Sequence, residues 1–194
     1  MSPLSIEEVE RLRALVLENA SELLAEARLL FEHQKYARAY ALAHFSSEEL
    51  AKLPMLAGVG IDLLKGHSID WNKFEKKLGS HAAKLKVLLA IDFLGTAVDP
   101  TSREIPVHKQ KLSRIELFNA LKNAALYAGV YQGGAYKPSA FLGQAFSENA
   151  LTLSANRFEL FAQVEANTQG RLSQLSNSDA YMKLLKKLQT GDSQ

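Results

Sequence analysis

Apolar side chains recur at three- and four-residue spacing along nearly the whole chain, and the alternation of a half-buried strand is almost absent. That periodicity restricts the fold to helix packed on helix. A first helix is predicted from about Ile6 to His33, because Ser5 can cap it and Glu8 can complete a capping box. Leu12, Leu15, Val16, Asn19, Leu23, Ala27 and Leu30 form its expected buried stripe. A second helix is predicted from about Tyr36 to Leu64, bent near Pro54, whose ring removes an intrahelical hydrogen bond. A third is expected from about Asp70 to Gly95 with a break at Gly79-Ser80, a fourth from about Leu112 to Val130, and a fifth from Pro138 to about Asn167. A short tail helix is expected over about Ser178 to Leu188, with residues 189–194 frayed. Thr96 to Lys111 contains Asp99-Pro100 and Ile105-Pro106 and reads as a long loop. The sum is one all-α domain over 1–194, a bundle of about five to six helices.

Composition narrows the chemistry. With 47% hydrophobic residues, the 194-residue chain can bury a sizeable core without metal or disulfide staples. Cysteine is absent, which excludes disulfides, thiolate catalysis and thiolate zinc sites together. Met1 to Glu10 is acidic and shows no secretory pattern, so a cytoplasmic location is expected. Lys84, Lys86 and Asp92 interrupt the most apolar region, so no membrane span is expected. Charge is unevenly distributed: residues 1–32 carry seven acidic and three basic groups, residues 65–122 eleven Lys or Arg and six Asp or Glu. The basic middle segment suits contact with nucleic-acid phosphates, and equally suits a solvated helix face in which Lys73, Lys76 and Lys77 point to water.

Polar residues embedded in the apolar helices are the candidate functional groups. Leu42, Phe45, Glu49, Lys52 and Leu56 share a helical face, so Glu49 is expected at or beside the core, with Lys52 as its partner. Glu48 falls on a neighbouring line with His44 and Lys52, expected to be wetter. If Ser80 starts a new helix, His81 lies in its first turn, where the helix dipole favours a neutral imidazole. Lys84 shares that side of the turn. Glu49, Lys52, His81 and Tyr127 are expected to converge between the second, third and fourth helices.

Three segments carry a resemblance: Arg38 to Lys52 (Arg-Ala-Tyr-Ala-Leu-Ala, then Glu-Glu-Leu-x-Lys), His81 to Lys84 (His-x-x-Lys), and Leu121 to Tyr127 (Leu-Lys-Asn-x-x-Leu-Tyr) followed by Pro138. In this order and at these separations the chain resembles the AbiV family of abortive-infection proteins from about Asn19 to Ala155. Ala51 stands where the family usually has glycine. The resemblance implies a HEPN-like helical bundle that forms a homodimer. It also implies a cytoplasmic anti-phage role, exerted on translation or RNA and triggered by a phage protein. Its motif residues here are Glu48, Glu49, Lys52, His81, Lys84, Asn123 and Tyr127.

Within that resemblance, two constellations compete for catalysis. Arg38 and His44 match the arginine-to-histidine spacing of HEPN ribonucleases, which is a loose pattern. His81 and Lys84 form the stronger pair, because an imidazole can move protons near neutral pH while an ammonium stabilises a phosphoryl anion. The favoured alternative is architectural: Glu48 or Glu49 pairs with Lys84 or Lys52, and His81 donates to a carbonyl or to Tyr127. A non-catalytic protein is therefore expected, with a metal-independent ribonuclease or a scaffolding dimer as rivals. Glu48, Glu49 and His81 could approach a metal, yet the chain has no Glu-x-x-His, so no metal is expected. Gly58-Val59-Gly60 lacks the rest of a phosphate-binding fingerprint, and no cofactor is expected. Tyr127, Tyr131, Tyr136, Phe141 and Phe146 should pack the fourth helix on the fifth or meet a second copy.

Overall fold

The computed structural model describes residues 2–96, 104–179, 181 and 183. Eight helices of nine residues or more form the bundle among these residues: α1 (Ile6–Glu32), α2 (Tyr36–Leu50), α3 (Lys52–Leu64), α4 (Trp71–Gly79), α5 (His81–Thr96), α6 (Glu104–Ser113), α7 (Ile115–Leu126) and α9 (Gln144–Thr168). Two shorter ones, α8 (Pro138–Phe141) and α10 (Arg171–Ser176), and a hairpin of β1 (Gly129–Tyr131) and β2 (Gly134–Tyr136) complete it. The all-α expectation holds, while the count of five to six helices is too low. No helix among the described residues is long and apolar enough to cross a membrane.

The additional breaks have local causes. The expected second helix is two helices that part at Ala51, three residues before Pro54. An unbroken helix would need the missing Pro54 N–H to bond Leu50 and would press the ring on that carbonyl. Parting at Ala51 puts Pro54 in the first turn of α3, where an N–H would have no helical partner anyway. Pro106 sits equally early in α6, so the stretch read as a loop is helical from Glu104. Residues 97–103 lie outside the described residues, as does most of the tail expected over 178–194. The expected fifth helix divides into α8 and α9 at Leu142-Gly143.

Past α7 the chain turns back through Gln132-Gly133, both at positive φ (51° and 79°), in the two-residue turn that matches the twist of a hairpin. Tyr136 faces Gly129 across the ladder, and a Cβ there would press on its ring. Tyr131 and Tyr136 both pack on Phe141, with ring centroids 5.4 and 4.8 Å apart. Part of the expected aromatic cluster is therefore a hairpin seated on α8; Tyr127 and Phe146 are exposed. Two short runs of three residues were too brief for their alternation to stand out from helical spacing.

α2 is the central helix, touching α1, α3, α5, α7, α8 and α9. Its buried residues are mostly small: Ala37, Ala39, Ala41, Ala43, Ser46 and Ser47. Small side chains let several helices approach one backbone closely. Ser46 Oγ uses this closeness to donate to the Ala20 carbonyl of α1 at 2.7 Å. α1 enters through its capping box, with Ser5 N–H donating to Glu8 at 2.7 Å and Glu8 N–H to Ser5 Oγ at 3.2 Å. Its buried line is Val9, Arg13, Val16, Ala20, Leu24 and Ala27, rotated from the predicted stripe so that Leu15 and Asn19 face outward.

The rotation places Arg13 inside, where Nε and Nη2 donate to Glu165 Oε1 at 3.3 and 2.9 Å and Nη2 also reaches Thr168 Oγ1 at 2.9 Å. This pair ties α1 to α9. Removing one member strands the other's charge in a site with little water, so Arg13→Ala should cost about 3–5 kcal/mol. Arg13→Met with Glu165→Met should recover most of that loss in urea unfolding. An Arg13→Ala protein as stable as the parent would show the pair to be inert.

Candidate functional site

The middle of the bundle holds a carboxylate with four basic neighbours. Glu48 stands on the line Tyr40, His44, Glu48 of α2, at successive four-residue steps, and is 2% exposed. Tyr40 and His44 stack with centroids 6.2 Å apart, which orients the imidazole along the helix toward the carboxylate. α7 supplies Lys122, three residues before buried Ala125 and seven after buried Ile115. Its ammonium passes the Phe45 ring at 5.3 Å and reaches Glu48 Oε1 at 2.9 Å. α5 supplies the other two groups: Lys84, four residues before buried Leu88, and His81 in the first turn. Ser80 Oγ accepts from the Ala83 N–H at 3.2 Å and holds that turn, as the sequence predicts.

Lys84 Nζ lies 3.0 Å from Glu48 Oε2, His81 Nδ1 2.5 Å from Oε2, and His44 Nε2 3.2 Å from Oε1, the last without hydrogen-bond alignment. So short a contact between Nδ1 and a carboxylate needs a proton between them, so Nδ1 carries hydrogen and donates to Glu48. Lys122 Nζ also lies 2.9 Å from Nδ1, but a nitrogen already holding its hydrogen has no lone pair to offer. In the neutral ring the lone pair is then on Nε2. The His81 side chain is 47% exposed, in contrast to Lys84 and Lys122 at 8% and 2%.

Burial by itself pushes the Glu48 carboxyl up. Contacts from His44, Lys122, Lys84 and His81 outweigh that penalty and hold it well below the usual carboxylate range. Glu48 is therefore ionised through the physiological range and pairs with lysines on two other helices. Beside the cluster, His44 also lines a cavity of about 310 Å³ with Tyr40, Leu89, Phe118 and Phe146.

The predicted site residues divide. Glu48, His81, Lys84 and His44 meet. Glu49 does not join them: it faces outward from the cluster and binds Lys52 at 2.5 Å, across the break between α2 and α3. Asn123 and Tyr127 are exposed at the end of α7. The expected convergence of Glu49, Lys52, His81 and Tyr127 does not occur, and Glu48, expected to be the wetter acid, is the buried one. Leu42 and Phe45 misdirected that expectation. They are only half-buried, because the closest helix contacts run along alanine and serine instead. Arg38 is exposed and borders a separate hollow with Tyr36 and Lys137. Six residues along a helix turn Arg38 away from His44, and the chain does not join them. Lys122 belongs to the Leu-Lys-Asn motif but not to the expected site residues, although its spacing from Ile115 and Ala125 on α7 marks a buried face.

Glu48→Gln should cost about 3–5 kcal/mol, since it leaves two buried ammonium groups without a counter-charge. The depressed pKa fixes the sign of the pH dependence: as pH falls below about 4.5 the unfolded chain takes up this proton first. Stability contributed by Glu48 is complete above that pH and is lost progressively beneath it. Melting temperatures of the parent and Glu48→Gln should differ most near neutral pH and converge under acid. A gap that stays constant would mean that the carboxylate is not ionised in the fold.

The stretch that supplies all these groups is also the part of the chain that can be compared with known proteins. The sequence model of the HEPN-type AbiV family matches residues 8–159, from the first turns of α1 into α9, and so includes Glu48, His81, Lys84 and Lys122. No curated protein and no solved structure gives a significant match. With a match over most of its length and a helical bundle of the expected class, this chain belongs to the AbiV family of HEPN-like proteins.

Proposed function

We propose that this protein is a cytoplasmic abortive-infection factor that stops phage production by acting on translation or on RNA once a phage protein triggers it. The observation that carries the reading is the AbiV match over residues 8–159, which spans every helix that contributes to the Glu48 cluster. His81 is the group through which the cluster meets solvent, so the activity is assigned to that face of α5. Arg38, turned away from it, is given no part.

Plaque counts on a host expressing the protein test this. The parent should restrict phage, Arg38→Ala should restrict it equally, and His81→Ala should lose most of the protection while circular dichroism and melting show an intact fold. Because the His81 ring is half exposed, its loss should cost no more than about 1–3 kcal/mol in stability. Protection lost with Arg38→Ala and kept with His81→Ala would move the site to α2.

One observation favours a second reading, a metal-independent ribonuclease. An imidazole whose Nδ1–H is held by a carboxylate and whose ring is half exposed is oriented for proton transfer, and lysines beside it suit a phosphoryl anion. Purified protein that cleaves RNA in the presence of a chelator, with the cleavage absent in His81→Ala, would establish it. Intact RNA after prolonged incubation would end it.

The active form is proposed to be a homodimer assembled through α9. Phe146, Leu153 and Leu160 recur every seven residues, Val164 adjoins them, and all four are exposed. Thr152, Asn156, Gln163 and Asn167 flank them, and the exposed charges on that side, Glu148 and Glu159, lie at its edge, so the strip itself is uncharged. Light scattering should give twice the chain mass, and Leu153→Asp with Leu160→Asp should give the monomer.

A further inference from the structure

Glu48 cannot by itself neutralise what surrounds it. Lys84 and Lys122 both rest on its carboxylate, and among the described residues no second carboxylate lies within ion-pair distance of either. Glu49, adjacent to Glu48, pairs with Lys52, and Asp92, about two turns along α5 from Lys84, pairs with Arg157. One negative charge therefore faces two positive ones where less than a tenth of either lysine side chain meets water. The hydrogen-bond count is unbalanced in the same direction. Two ammonium groups and the Nδ1–H bring roughly seven donors to a carboxylate with roughly four acceptor sites. A buried surplus of charge and donors is costly unless an acceptor of opposite sign completes it.

The most exposed member of the cluster is the half-exposed imidazole of His81, and the last turn of α4 just before it carries Lys76 and Lys77. We propose that the Glu48 cluster is the floor of an oxyanion site that takes a phosphate group at the His81 face. Lys84 and Lys122 supply the unmatched positive charge and His81 the hydrogen-bonding edge. A phosphodiester suits this better than a protein carboxylate, because the sequence on either side of His81 is basic, with eleven Lys or Arg against six Asp or Glu over residues 65–122, and repeated phosphates match repeated positive charge. The chemistry of the site stands on the cluster alone. Only the identification of the phosphate as that of RNA rests on the proposed action on RNA or translation.

The purified full chain tests this with inorganic phosphate and with a short labelled single-stranded oligoribonucleotide. Phosphate should raise the melting temperature above that in chloride at equal ionic strength, and the oligoribonucleotide should bind by anisotropy. Lys84→Met removes the surplus charge and leaves Glu48 paired with Lys122 and His81. It should melt in chloride no lower than the parent, lose the phosphate-dependent shift, and bind RNA about tenfold more weakly, the scale of one charge-assisted hydrogen bond. His81→Gln keeps a donor for Glu48 and should show the same tenfold weakening, so it carries the test if Lys84→Met does not fold. A phosphate shift without RNA binding supports the oxyanion site and assigns it to a free phosphate or mononucleotide. No phosphate shift and no RNA binding by the parent would overturn the site, as would undiminished binding by the folded variants or tighter binding of an acidic peptide. Phage protection by a protein that binds neither phosphate nor RNA would overturn the site and leave the anti-phage role standing. Binding without protection would do the reverse.

Discussion

The Glu48 carboxylate is the group on which three helices agree. α2 carries it, α7 brings Lys122 to one oxygen, and α5 brings Lys84 and His81 to the other. None of these side chains could be buried alone, because an ammonium or carboxylate removed from water without a partner costs several kcal/mol. Their mutual dependence fixes the rotation of α5 and α7 about α2. A one-residue slip of either helix would strand a charge, whereas the same slip on an apolar surface would exchange one leucine for another. The cluster thus specifies register more than it adds stability.

The packing that permits this arrangement lies in α2. Its alanines and serines allow six neighbouring elements to approach one helix, and that crowding excludes water from Glu48. The main core, built on α1, α3 and α5 around Leu53, Leu56 and Leu88, lies toward one end of α2. A smaller one around Tyr40, Ala125 and Leu142 lies toward the other. The polar cluster sits between two apolar regions. Their rigidity holds its donors at hydrogen-bond distance and leaves one edge, His81, in contact with solvent. A buried carboxylate that orients a surface imidazole combines a structural role with a site at which an anion or a proton can be handled.

Local chemistry was legible in the residues themselves. The capping box of Ser5 and Glu8, the Ser80 helix start, the helical class and the family motifs all rest on interactions among residues a few positions apart, and each is present in the fold or in the family match. Helix breaks at Ala51 and Leu142 were less legible. Proline announces that a helix must yield nearby, but where it yields depends on which turn the neighbours leave free.

The identity of the buried acid was a tertiary decision. Glu48 and Glu49 are adjacent and chemically identical, and helical periodicity assigned the core to the face of Leu42 and Phe45 because large apolar residues usually mark it. In a central helix packed on most sides that rule loses its contrast, and close approach selects the small residues. Glu48 lies among those and Glu49 does not. Lys122 likewise became a partner only when α7 was laid beside α2, 74 residues away along the chain. The sequence by itself determined the helical class, the capped helix starts at Ser5 and Ser80, and the family. Only the tertiary structure decided which charges meet, because a buried ion pair depends on the relative rotation of helices that are distant in sequence.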